Sequence, residues 1–146
     1  MKKNTSCILI SLVVSYLYVS GAEAVCTQRT LKGTWVGSLS IVDAPISSQN
    51  YSSFCELQIT SEGSLGPNGG WCETLSSNPQ VSGKKVSLTS AQLMVSKDCA
   101  VTGTINTLIG GDSETHGFLI GSNRAQFTAA FKNTTGAVGT LSLGKR

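Results

Sequence analysis

The feature that most constrains the fold is the alternation of apolar and polar residues in short runs separated by turn residues. In LKGTWVGSLSIV, residues 31–42, the apolar residues Trp35, Leu39 and Ile41 fall on one face of an extended chain. Similar runs recur about every ten residues down the sequence, and no sustained 3.6-residue period is present. The pattern therefore predicts an all-β protein.

The runs amount to eight or nine strands, joined by connections short enough for antiparallel neighbours. The simplest arrangement is an up-and-down meander that closes into an eight-stranded barrel, because closure removes exposed strand edges. A two-sheet β-sandwich is the alternative. The interior of such a barrel is either filled by side chains or holds one small ligand.

The first 24 residues have the features of a secretory signal peptide. Lys2 and Lys3 precede an apolar run from Ile8 to Val19, and Ala22-Glu23-Ala24 has the small-x-small pattern of a cleavage site. We expect cleavage after Ala24, leaving residues 25–146 as a single all-β domain in the periplasm or the medium of a bacterium. No later segment has the roughly 20 apolar residues of a membrane-spanning helix.

Charge argues against a nucleic-acid partner. Residues 25–146 contain nine Lys or Arg and seven Asp or Glu, a net charge of 9 − 7 = +2, and the basic residues are dispersed. The Gly-rich GPNGG, residues 66–70, lacks the lysine and the following helix of a phosphate-binding loop, so we interpret it as a turn. No cofactor is expected.

Four cysteines remain after cleavage: Cys26, Cys55, Cys72 and Cys99. An even number in a small exported domain favours two disulfides, and the wide spacings do not resemble the close pairs of zinc sites. Three connectivities are possible. We favour Cys55–Cys72, which flank one Gly-rich turn, together with Cys26–Cys99, which would hold the N-terminus.

The acidic segment GGDSETHG, residues 110–117, carries Asp112, Glu114 and the only histidine, His116. Because they alternate, the three side chains would point to one side of an extended chain and could hold a divalent metal or act as an acid/base pair. The competing interpretation, which we favour, is a solvated hairpin loop without a site.

The aromatic residues are few, and they supply the candidate ligand- or partner-binding residues Trp35, Phe54, Trp71, Phe118 and Phe127. Trp35, Phe118 and Phe127 are expected to fill the core. Trp71 and Phe54 flank the expected Cys55–Cys72 disulfide on its opposite face, where they form either a recognition patch or a second apolar cluster.

Gly33-Thr34-Trp35 resembles the Gly-x-Trp that begins the first strand of lipocalins and the Gly-Thr-Trp of avidins. A wider match is to small periplasmic barrels that inhibit proteases or lysozyme. It comprises Leu31, Gly33 and Trp35, then Cys55, Leu57 and Ile59, then Cys72. This resemblance to calycin-like secreted barrels implies a β-barrel and a Cys55–Cys72 pairing.

Three functions follow as hypotheses. The first, which we prefer, is a non-enzymatic binding module, for example an inhibitor of a hydrolase, that contacts a protein partner through Trp71 or the N-terminal arm from Val25. The second is a carrier of a small apolar ligand in the barrel interior. The third is a metal-dependent enzyme centred on Asp112, Glu114 and His116. The lining expected for the carrier is Leu39, Ile59, Val101, Phe118 and Phe127.

Overall fold

A computed structural model describes residues 25–42, 51–75, 82–107, 111–134 and 136–146. The signal peptide expected at residues 1–24 lies outside the described residues. Within the described residues, a 3-10 helix at Gln28–Leu31 precedes eight strands. The strands are β1 Gly33–Val42, β2 Tyr51–Ile59, β3 Leu65–Leu75, β4 Lys85–Val95, β5 Ala100–Thr107, β6 Gly111–Ile120, β7 Gln126–Asn133 and β8 Val138–Lys145.

The strands form a closed antiparallel barrel in which each strand pairs with the next along the chain and β8 pairs with β1. The β1–β8 register runs from Trp35 opposite Lys145 to Val42 opposite Val138. The predicted up-and-down barrel is therefore confirmed, and the alternative two-sheet sandwich is wrong. A sandwich would leave β1 and β8 as edges, whereas their pairing satisfies the backbone groups of both strands.

The barrel has two distinct ends. We call the end that carries the 3-10 helix and the β2–β3, β4–β5 and β6–β7 turns the base, and the opposite end the rim. At the base, Trp35 packs edge-on against Phe127, with ring centroids 6.4 Å apart, over the buried Leu31. At the rim, a separate small cluster contains Ile41, Phe131 and Ala137. Leu39 packs against both clusters.

Both predicted disulfides are present, Cys26–Cys99 and Cys55–Cys72. Cys55 and Cys72 are directly opposite each other on β2 and β3, with their Cα atoms 4.0 Å apart. Cys26 joins the N-terminal segment to Cys99 in the β4–β5 turn. All four residues are buried, so the disulfides are part of the core.

Glycine allows close packing at the rim. Gly139 on β8 lies opposite Phe131 on β7, and a Cβ atom at residue 139 would collide with the phenyl ring. Because Gly139 has no side chain, the Phe131 ring packs against the β8 backbone. Aromatic rings that cover glycines in this way stabilise curved sheets.

Three expectations about individual segments were wrong. GPNGG, expected to be a turn, lies within β3. GGDSETHG, expected to be a hairpin loop, lies mostly within β6, where Thr115 points inward and is 1% exposed. Phe118, expected in the core, points outward and is 56% exposed.

The error at Phe118 has a simple physical origin. Successive residues of a strand point to opposite faces, so a register shift of one residue exchanges the two faces completely. Phe118 and Leu119 are both apolar, and the sequence does not say which one is internal. In the structure Leu119 is buried, and Gly117 takes the neighbouring internal position.

Candidate recognition surface

The outer surface of β2, β3 and β4 carries the cluster that we call the aromatic face: Phe54, Glu56, Trp71, Glu73 and Lys85. Their inward neighbours Cys55 and Cys72 are buried and disulfide-bonded. Because side chains alternate along each strand, the residues on either side of these cysteines must point outward. The disulfide inside the barrel thus determines which residues of β2 and β3 point outward in the aromatic face.

The strand register arranges the aromatic and acidic residues diagonally. Phe54 lies opposite Glu73, and Trp71 lies opposite Glu56. The two aromatic rings therefore meet across the diagonal, with centroids 5.9 Å apart and planes inclined by 51°. Diagonal positions on paired strands are within reach of large aromatic side chains.

Phe54 is 44% exposed although the Trp71 ring packs against it. Trp71 is half-buried. Aromatic residues such as Phe and Trp are enriched at protein interfaces.

Lys85 completes the face from the β4 side. Its Nζ atom lies 4.3 Å from the centroid of the Trp71 ring and 3.9 Å from Oε2 of Glu73. The ammonium is therefore held by a cation–π contact and an exposed ion pair together. The sequence alone did not single out Lys85. Its position depends on the pairing of β3 with β4, which places it opposite Glu73.

Trp35 and Phe127, two other candidate binding residues, are only 2% and 3% exposed and belong to the core. The indole N–H of Trp35 donates a hydrogen bond to the Leu31 carbonyl oxygen at 2.7 Å. The structure thus separates the five aromatic candidates into a buried pair, the outward Phe118, and Phe54 and Trp71, which contact each other on the outer surface.

The residues expected to line a ligand cavity do not share one environment. Ile59, Val101 and Phe127 are buried in the main core, and Leu39 is only partly buried. Phe118 is on the outer surface, so the predicted lining is wrong at that residue.

The acidic segment on β6 places Asp112, Glu114 and His116 on the outer face, as the alternation predicted. Glu114 Oε1 and His116 Nε2 are 2.9 Å apart, and both side chains are more than 60% exposed. Asp112 instead accepts a hydrogen bond from the Asn106 amide at 2.6 Å. Among the described residues no group of three His, Cys, Asp or Glu side chains could hold a metal ion.

The described start of the N-terminal arm, at Val25 and Cys26, is tethered to the barrel. Val25 is 63% exposed, but Cys26 beside it is disulfide-bonded, and its backbone N–H donates to the Lys97 carbonyl oxygen at 3.2 Å. In the part of the chain that the structure describes, no helix is long and apolar enough to cross a membrane.

Comparisons with known proteins identify no family. No protein-family model matches the chain, and no curated protein matches its sequence. Among solved structures, the chain is similar to a redesigned β-barrel at 16% identity and a TM-score of 0.49, over 82% of this chain and 95% of that one. It is also similar to a de novo designed fluorescence-activating β-barrel at 15% identity and a TM-score of 0.45, over 79% and 93%.

Proposed function

We propose that this protein is an exported, non-enzymatic β-barrel module that binds a protein partner through the aromatic face. The observation that carries the proposal is the contact between Phe54 and Trp71 on the outer surface, with Phe54 44% exposed. Interface energy is concentrated in a few aromatic and arginine residues that are covered when the partner binds.

Closure of the barrel also favours recognition through side chains. Each of the eight strands pairs with a neighbour on both sides, although β3 and β4 pair only over Gly70–Glu73 and Lys85–Leu88. Most of the sheet therefore offers no free edge to which an extended peptide could add, which favours contact through side chains of the outer surface.

The two disulfides are consistent with an oxidising compartment, which supports export. The sequence resemblance to calycin-like barrels that inhibit proteases or lysozyme suggests a hydrolase as the class of partner. We propose both that the protein is exported and that its partner is a hydrolase.

The other two hypotheses gain no comparable observation. For an apolar carrier, three of the expected lining residues are packed in the core and one lies outside the barrel. For a metal-dependent enzyme, the Asp112, Glu114 and His116 side chains are exposed on a strand surface and form no three-ligand group.

The test uses the mature protein as bait against exported proteins of its own host. Trp71→Ala and Phe54→Ala should each reduce capture of the same partner by at least about tenfold, the effect of a hot-spot residue. Met94→Ala, which removes a 61% exposed apolar side chain elsewhere on the surface, should leave capture unchanged.

Circular dichroism and thermal melting of the three variants provide the folding control. Equal capture by wild type, Trp71→Ala and Phe54→Ala would contradict the proposal. Loss of capture in all three variants, including Met94→Ala, would also contradict it, because the aromatic face would then have no special role.

A further inference from the structure

The aromatic face already binds one cation, which belongs to the chain itself. Lys85 reaches Trp71 from β4, and its ammonium is shared between the indole ring and Glu73. An aromatic ring beside a carboxylate therefore holds a cation on this surface.

The β2 side of Trp71 also has a carboxylate and an aromatic ring. Glu56 lies directly opposite Trp71, and Phe54 supplies a second ring at 5.9 Å. β2 and β4 flank β3, so Phe54 and Glu56 belong to the strand on one side of Trp71 and Lys85 to the strand on the other. On its β2 side, Trp71 is thus flanked by a carboxylate and an exposed ring. Among the described residues, no lysine pairs with this carboxylate.

The charge of Glu56 is not neutralised by an ion pair. Within the described ranges, the ion pairs are Lys85–Glu73 and His116–Glu114, and neither includes Glu56. Its side chain is half-buried beside Trp71. A carboxylate in this position attracts a cation and disfavours an anionic partner.

We infer that the aromatic face binds a guanidinium group, an arginine side chain of the partner protein, which stacks on the exposed Phe54 ring beside Trp71 and pairs with Glu56. Arginine fits better than lysine because its planar guanidinium stacks on aromatic rings while it donates to a carboxylate. The inference rests on the proposed function, since it names the chemistry that the same surface recognises.

The test follows the two indole N–H signals of the protein by NMR during titration with N-acetyl-arginine amide. The buried Trp35, whose N–H is bonded to Leu31, is the internal reference, and Trp71→Phe assigns the peaks. We expect a saturable shift of the Trp71 signal and no shift of the Trp35 signal. N-acetyl-citrulline amide, an uncharged analogue of similar shape, should shift the Trp71 signal much less.

Glu56→Gln should weaken arginine-amide binding by about two- to fivefold, the range expected for an exposed ion pair, and high salt should weaken it similarly. Glu62→Gln is the matched control, because it removes the same charge from an exposed turn at the base. Binding to Glu62→Gln should equal that of the wild type.

Equal responses to the arginine and citrulline probes, or an unchanged affinity in Glu56→Gln, would overturn the inference. The proposed function would survive that result if Trp71→Ala still lost its partner in the capture experiment. If partner capture instead survived Trp71→Ala, the proposed function would fail, and the inference would fail with it.

Discussion

The base and the rim of the barrel are held together in different ways, although the same eight strands connect them. At the base, residues far apart in sequence converge on the 3-10 helix. Lys145 Nζ donates to the Thr30 carbonyl oxygen at 3.1 Å and lies 5.5 Å from the centroid of the Trp35 ring. At the rim, a separate cluster of Ile41, Phe131 and Ala137 lies beside the end of the main core, which reaches Leu88 and Ile105.

Hydrogen bonds strengthen the contrast. The Gln28 side chain at the base bonds to the β4 backbone twice, donating to the Leu93 oxygen at 2.6 Å and accepting from the Val95 N–H at 2.9 Å. The described side-chain bond in the β7–β8 turn at the rim is local, from the Ala137 N–H to Asn133 Oδ1 at 2.8 Å. The base is therefore tied to the 3-10 helix by long-range side-chain bonds, whereas the described rim combines the local bond of the β7–β8 turn with a backbone bond between strands, from the Thr134 N–H to the Asp112 carbonyl oxygen at 3.1 Å.

The largest expected effect tests this contrast with core substitutions. Trp35→Ala should lower the free energy of unfolding by about 3–5 kcal/mol, because it leaves a cavity and removes the donor to the Leu31 carbonyl. Phe131→Ala at the rim should fall at the low end, about 3 kcal/mol, because its cluster is small and can collapse. Urea denaturation of both variants measures the difference, and a larger loss for Phe131→Ala would reverse the comparison.

The second prediction compares the two disulfides. The Cys26–Cys99 bridge spans 73 residues and the Cys55–Cys72 bridge spans 17. In the chain-entropy model, replacing each pair by alanine should cost about 4 and about 3 kcal/mol respectively. Because all four cysteines are buried, lost packing affects both double variants. Urea denaturation measures both losses of unfolding free energy. A larger loss from Cys55→Ala/Cys72→Ala would show that Cys26–Cys99, the bridge at the base, does not stabilise the fold more than Cys55–Cys72.

The third prediction concerns Gln28. Gln28→Ala should cost about 1–3 kcal/mol, because it leaves the Leu93 carbonyl and the Val95 N–H at the base without their partner. Gln126→Ala, at an exposed position on β7, should change the free energy of unfolding by less than about 0.5 kcal/mol. If the two variants unfold at the same urea concentration, Gln28 does not fasten the helix to β4.

The smallest expected effect is a pH dependence in the β4–β5 turn of the base. The Ser96 hydroxyl donates to the Asp98 carboxylate and, with the Asp98 backbone N–H, holds the pKa of Asp98 below its usual value. A lowered folded-state pKa stabilises the fold above the unfolded pKa, and this stabilisation is lost as the pH falls through the folded value.

Ser96→Ala should therefore raise the pKa of Asp98 toward its usual value, as measured by NMR titration. The pKa of Glu62, which is lowered by the Ser61 and Thr60 hydroxyls in a different base turn, should stay as it is. An unchanged Asp98 pKa in Ser96→Ala would show that the hydroxyl does not stabilise the carboxylate.

Much of the fold and part of the candidate surface could be predicted from the sequence. The position of Trp71 and Phe54 beside the disulfide followed from alternation around Cys55 and Cys72, and the structure confirms it. The role of Lys85 was missed because it depends on the pairing of β3 with β4, and the 3-10 helix was missed because four residues show no periodic pattern.

By itself, the sequence determined the all-β class, the antiparallel order and the positions of the four cysteines that follow residue 24, because alternation, short connections and residue types are local properties. Only the tertiary structure decided that the sheet closes through β1 and β8 and that Phe118 points outward while Leu119 is buried. It also decided that, among the described residues, Glu73 has an ion-pair partner and Glu56 has none. Each of these depends on strand register, which is set jointly by all the neighbours of a strand and not by its own residues.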